Sequence, residues 1–289
     1  MMEPSSSRRG LFLAGAAVAG AAALTASARD AVAQSAPDSL LRKVIDRGRL
    51  IVGTGSTNAP WHFEDDKGQL TGMDIAMARI LAKALFDDPA KVEFVRQDPA
   101  ARIPNINTGK VDAVIQFMTM SPARAQVIAF SRPYYVEGVA LLTKPNAQKR
   151  SFDQLLAAGA DARISILQNV DADRTVKTVL PQATVMQLDT QANVIQAIES
   201  RRADAAAVDL STVRWLVKQT PDRYFDAGKK WQTQLYGAGM RQGDPDWTRF
   251  VSTVFDIAMF GHQTEIYDKA LSDFFGIEPP LREPGMPKF

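Results

Sequence analysis

Short, dense runs of apolar and β-branched residues alternate along the chain with longer segments in which apolar residues recur every three or four positions. The runs 49–54 (RLIVGT), 91–95 (KVEFV) and 111–117 (VDAVIQF) predict strands, and 40–47, 74–85 and 98–110 predict helices, the last ending at Gly109. After the first strand, WHFEDDKGQLTGMD carries an Asp-Lys-Gly turn and predicts a hairpin. The beat restarts after PNAQKRS. Helices are expected at 152–158, 170–180, 191–201 and 210–219, with strands at 163–167, 183–188 and 203–209 between them. A late strand around QLYGAGM and closing helices at 247–260 and 264–274 complete the pattern. Strand followed by helix, twice over, predicts an α/β protein built on two mainly parallel, doubly wound sheets. Two extended, glycine-bearing segments, YYVEGVALLTK and QTQLYGAGMRQ, read as crossings between lobes. If the closing helices pack on the first lobe, the result is two lobes joined by a two-strand hinge, an arrangement that closes around small ligands.

Composition narrows this picture. The chain has 289 residues, 46% hydrophobic and 23% charged, enough for two domains, and a net charge of +2 that points neither to nucleic acid nor to a membrane surface. It has no cysteine, which excludes disulfides, thiolate zinc sites and a lipidated N-terminal cysteine. Arg8-Arg9 followed by the small-residue apolar run LAGAAVAGAAALTA and the AVAQ site at 31–34 predicts a twin-arginine export signal, residues 1–33, rather than an uncleaved anchor. No later apolar run is long enough to span a bilayer. The two histidines, His62 and His262, form no metal motif, and no G-x-S-x-G, P-loop or complete G-x-G-x-x-G occurs, so neither metal nor cofactor is expected. One local feature stands out. Ser121-Pro122 predicts a helix start, with Ser as N-cap and Pro at the first position, which puts Arg124 in a first turn where the helix dipole disfavours a cation.

Longer stretches carry a resemblance. GRLIVGT, GQLTGMDIAMARILAKAL and RIPNINTGKVDAVIQFMTMSPARAQVIAFSRPYY resemble the family 3 extracellular solute-binding proteins, which serve ABC importers of polar amino acids. QAIESRRADAAAVD and GHQTEIYDKALSDFFG extend the similarity over roughly residues 40–277. The resemblance implies the type II periplasmic-binding-protein fold, with 34–138 as the first part of lobe 1, 139–234 as lobe 2 and 235–289 returning to lobe 1. It implies a monomeric periplasmic receptor that delivers a small zwitterion to an ABC permease in the inner membrane. By position, Arg124 would clamp the ligand's α-carboxylate, and a guanidinium at a helix start suits an anion. Thr119 would offer its N–H to the carboxylate and its hydroxyl to the ammonium, Phe117 its carbonyl to the ammonium or merely core packing, and Asp209 its carboxylate to the ammonium or a cap to the following helix. Trp61 would pack on the ligand side chain, and Asn169 and Val170 would present backbone N–H groups. Asp74 reads as structural, ordering the loop ahead of its helix.

Two departures bear on the ligand. Gly55 stands where a charged residue is common in the family, which argues against a strongly basic or acidic side chain unless another residue compensates. LQNVDAD at 167–173 replaces the usual Gly-Thr or Gly-Ser, and Asp171 would compete with an anion for the helix-start donors. Two other functions stay open on the same fold. One is a periplasmic lyase of the cyclohexadienyl dehydratase type, with Asp209, Asp171 or Glu64 as general acid. The other is a sensor module that presents its ligand to a receptor.

Overall fold

The structure, a computed structural model, describes residues 38–285, so the expected export signal lies outside the described residues. Helix α1 (Leu40–Arg47) leads into β1 (Leu50–Thr54), then a small antiparallel sheet of β2 (Thr57–Asn58), β3 (His62–Glu64) and β4 (Leu70–Thr71). Next come α2 (Met73–Phe86), β5 (Val92–Arg96), α3 (Arg102–Asn107), β6 (Ala113–Val114), α4 (Pro122–Ala125) and β7 (Ala129–Phe130). The long β8 (Tyr135–Thr143) opens the second unit: α5 (Phe152–Ala158), β9 (Arg163–Leu167), α6 (Ala172–Lys177), β10 (Thr184–Leu188), α7 (Gln191–Glu199), β11 (Ala205–Asp209) and α8 (Leu210–Gln219). The chain returns along β12 (Phe225–Tyr236) to β13 (Gly239–Met240), α9 (Pro245–Phe260), α10 (Glu265–Ala270) and a π-helical turn, Leu271–Phe275. Among the described residues no helix is long and apolar enough to cross a membrane.

The strands form two five-stranded sheets, ordered β5-β1-β6-β13-β7 and β10-β9-β11-β8-β12. In each, three strands pair in parallel and two further strands join at one side through antiparallel pairing, β13 and β7 in the first sheet and β8 and β12 in the second. Apolar clusters cover both faces of each sheet, as doubly wound sheets require. The closing helices do pack on the first sheet: Trp247, Val251 and Phe255 of α9 and Tyr267 of α10 share one core with Met73, Met77 and Leu81 of α2. Each such fully buried side chain contributes about 1.5–3 kcal/mol.

The hinge is a two-strand ribbon, β8 against β12, paired from Tyr135↔Tyr236 to Thr143↔Phe225. Its register shifts between Trp231 and Gln234, and Gln232 has a φ of 53°, so a bulge breaks the ladder where the ribbon passes between the lobes. The expected late strand covered only the end of β12, because FDAGKKW lacks the alternation that marks a strand. The expected strand at 111–117 is fully buried, but only Ala113 and Val114 join the ladder.

Asp74 organises the first lobe's share of the junction. Its carboxylate, with no exposed surface, accepts from the Phe117 N–H (2.9 Å) and the Tyr134 hydroxyl (2.8 Å), and lies 2.7 Å from His62 Nδ1. It thereby fixes Phe117 at a φ of 35°, a strained value for a residue with a side chain. Replacing Asp74 with Ala leaves these buried donors unpaired and is expected to lower stability by about 3–5 kcal/mol. Urea denaturation of the variant checks this, and a loss below about 1 kcal/mol would contradict the role.

Candidate functional site

A cavity of about 100 Å³ lies at the junction of the lobes, the scale of a small molecule rather than a peptide. The first lobe contributes Arg102, Phe117, Thr119 and Arg124 to its wall, the hinge ribbon Gln232, Gln234 and Tyr236, and the second lobe Asn169, Asp171, Gln191 and Asp209. Gln232 and Gln234 lie at the bulge in β12. Phe117 and Gln191 also wall an adjoining cavity of about 230 Å³, whose other sides are Asn58, His62, Gln97 and Gln116. Two buried amide nitrogens with no partner, Asn58 Nδ2 and Gln191 Nε2, belong to residues that line this second space.

The helix start at Ser121 forms as the sequence predicts: Ser121 Oγ accepts from the Arg124 N–H at 3.3 Å. Yet α4 is a single turn of four residues, Pro122 has no N–H to give, and the Arg124 N–H is already used. The anion-binding capacity here therefore resides in the guanidinium, not in a helix dipole. Arg124 Nη1 donates to the Thr119 carbonyl at 2.7 Å, which aims the fork across the cavity. Among the described residues no carboxylate lies within ion-pair distance of it. Burial lowers its pKa, while the field of Asp171 and Tyr236 supports its charge.

Thr119 sits beside it. The hinge ladder passes on either side, Met120 N–H to Leu235 (2.8 Å) and Gly237 N–H to Met118 (3.2 Å), and leaves the Thr119 N–H outside the backbone pairing. The Thr119 hydroxyl donates to Gln234 Oε1 at 2.7 Å, so it keeps accepting capacity only. Across the cavity, Asp209 ends β11 and stands at the N-cap of α8, but its side chain makes no capping bond. Glu137 of β8 takes that role, accepting from Ser211 N–H (3.4 Å) and Ser211 Oγ (2.5 Å). The Asp209 carboxyl is thus free to face the cavity. Burial, then the negative field of Glu137, raise its pKa well above the ordinary value, against the stabilising hydroxyl of Tyr236. Glu137 is raised too, chiefly by burial.

Two expected contacts fall elsewhere. Trp61 does not line the cavity. Its ring is fully buried between Tyr135 (4.8 Å) and Tyr236 (5.1 Å) of the hinge and Phe275 (5.2 Å) of the closing turn, and Nε1 donates to Ser211 Oγ at 2.9 Å. It joins the lobes at their base, and Asn58, three residues earlier, occupies the adjoining cavity instead. Val170 is 90% exposed and borders a separate, wider groove outside. Asn169 does line the cavity, but its side chain ties its own loop, accepting from Asp171 N–H (2.9 Å) and donating to Leu167 O (2.8 Å), so the Asp171 N–H is taken. The Asp171 carboxylate pairs with Arg174 at 2.6 Å, which blunts the competition expected of it. At Gly55 an added Cβ would lie 2.6 Å from the His62 ring, so the approach of that side chain, itself held by Asp74, leaves no room for one at Gly55.

Five of these wall residues carry no signal used in the sequence analysis: Arg102, Gln191, Gln232, Gln234 and Tyr236. Arg102 had a signal, since it lies four residues before the buried Ile106 and so shares its helix face.

Comparison with known proteins places this geometry. Residues 50–273 match the profile of the bacterial extracellular solute-binding proteins, family 3. The chain is 28% identical over 206 residues to a glutamine-binding protein of Geobacillus stearothermophilus, covering 71% of this chain and 77% of that one. It is 27% identical over 238 residues to an L-cystine-binding protein of Escherichia coli, covering 82% and 87%. Among solved structures, an ancestral amino acid-binding protein described as a precursor of cyclohexadienyl dehydratase superposes with a TM-score of 0.72 and 31% identity, over 82% of this chain and all of that one. The chain belongs to the bacterial extracellular solute-binding proteins, family 3.

Proposed function

We propose that this protein is the periplasmic substrate-binding component of an ABC importer, exported by residues 1–33 and acting as a monomer. It captures an amino acid or similar small zwitterion between its lobes and delivers it to a permease in the inner membrane. One observation carries the reading. Arg124 on the first lobe and Asp209 on the second line one small cavity, and neither has an oppositely charged protein partner among the described residues. Relatives named for glutamine and L-cystine binding agree with a zwitterion. In this reading the carboxylate lies between the Arg124 fork and the Thr119 N–H, and the ammonium meets Asp209. Asn169 borders the space, while Trp61 and Val170 take no part.

The raised pKa of Asp209 has a second use. A cavity carboxyl that holds its proton more tightly than usual is also what a lyase of the dehydratase type would need as its acid. Turnover of prephenate or arogenate by the purified protein would favour that function, and binding without turnover favours the receptor.

Replacing Arg124 with Ala leaves the bound carboxylate without its counter-ion, and calorimetry with the tightest-binding amino acid is expected to show a loss of about 3–5 kcal/mol. Unchanged affinity would contradict the clamp. Asp209 also couples stability to pH. Its folded pKa lies well above the ordinary 3.8, so its contribution is fully present below that value and is lost as pH rises toward the folded one. In the ligand-free protein, Asp209→Asn is therefore expected to raise the melting temperature at neutral pH, with the gain vanishing as pH falls below 3.8. A variant less stable than the wild type at neutral pH would contradict this.

A further inference from the structure

The cavity holds a second buried cation. Arg102 is only 6% exposed and lines the same wall as Arg124. Its Nε donates to the Pro99 carbonyl (2.9 Å), and one Nη1 hydrogen goes to the Gln116 carbonyl (3.1 Å). Three of the five guanidinium donors remain without a protein acceptor. The Phe117 ring, 5.5 Å below, supports the charge but does not neutralise it. No carboxylate among the described residues comes within ion-pair distance. Burial, then repulsion from Arg124, pull its pKa down to about 9, so it remains charged at neutral pH.

The charges around the cavity do not balance. Arg102 and Arg124 are both without carboxylate partners, while Asp171 is paired with Arg174 and the Asp209 carboxyl is pushed toward its neutral form. Gln191, which lines both this cavity and the adjoining one, carries a further buried donor without an acceptor, Nε2. A zwitterion with an uncharged side chain would supply one carboxylate for these groups and leave the second guanidinium dry and unpaired, a costly state. Building on the receptor reading above, we infer that the cognate ligand carries two anionic groups, one held by Arg124 and the second by Arg102, which selects for acidic ligands. Arg102 is then the residue that compensates for the absent charge at Gly55.

L-Glutamate and L-glutamine are nearly the same shape and differ in that second charge, so they test the inference directly, with L-aspartate and succinate as further acidic probes and L-alanine as a neutral one. Calorimetry on the wild type is expected to show glutamate bound at least about tenfold more tightly than glutamine. In Arg102→Gln the glutamate affinity is expected to fall by about tenfold or more while glutamine changes by less than about threefold. Arg102→Lys keeps the charge without the fork, and is expected to retain a reduced preference for glutamate; it carries the test if the Gln variant loses its cooperative melting transition. Three results would overturn the inference: wild-type protein that binds glutamine as tightly as glutamate, a Gln variant that weakens both equally, as a structural tether or one shared carboxylate would, or a Lys variant without preference. In each of these the receptor reading survives. A wild-type protein that binds no member of the panel overturns both.

Discussion

A guanidinium withdrawn from water without a counter-ion is the constraint from which the rest of this molecule follows. Arg124 is held by a backbone carbonyl and lines a small cavity, and a group able to answer a ligand's cationic end, Asp209, lines it from the other lobe. Neither has an oppositely charged protein partner among the described residues. Each is tolerable because a ligand, or water before it, can complete it. Closing the lobes brings the two walls together, so the free energy of binding and that of closure are one quantity.

Holding two such groups in register requires a rigid frame, and the frame is polar at its centre. Asp74 binds the end of the buried run at Phe117, the Tyr134 hydroxyl at the start of the hinge and the His62 ring. Glu137, on the hinge strand, holds the start of α8 through Ser211, and Ser211 in turn receives the Trp61 indole from the other lobe. This second chain frees Asp209 from capping duty, so a carboxylate at a helix start can face the ligand. The hinge adds its own contribution at the bulge in β12, where Gln232 and Gln234 line the same space.

Features set by neighbours in sequence are legible in the sequence itself. The Ser121 cap, the span of α8 and the strand–helix beat all rest on spacing and local hydrogen bonding, and they form where expected. Arg124, Thr119, Phe117, Asn169 and Asp209 were named from a resemblance, and all five border one cavity. What could not be read depended on contacts between distant segments. Trp61 was expected at the ligand, but an apolar ring near β1 reads the same whether it meets a ligand or the hinge, and Tyr135, Tyr236 and Phe275 claim it. Val170 is exposed, beside a loop that the Asn169 side chain closes on itself. The first half of β12 hid behind Asp, Gly and Lys, since an edge strand of a hinge has one wet face. Arg102 was overlooked because a charged residue in a helix is ordinarily solvated, and only burial of that face reveals it.

The claim that the two lobes act on the ligand as one clamp is tested most directly by a double-mutant cycle on Arg124→Ala and Asp209→Asn, with calorimetry against the tightest-binding amino acid. The account expects the double variant to lose less than the sum of the single losses, with a coupling of about 1 kcal/mol or more. Losses that add to within about 0.5 kcal/mol would mean that the two charges serve separate purposes, and the clamp would have to be abandoned.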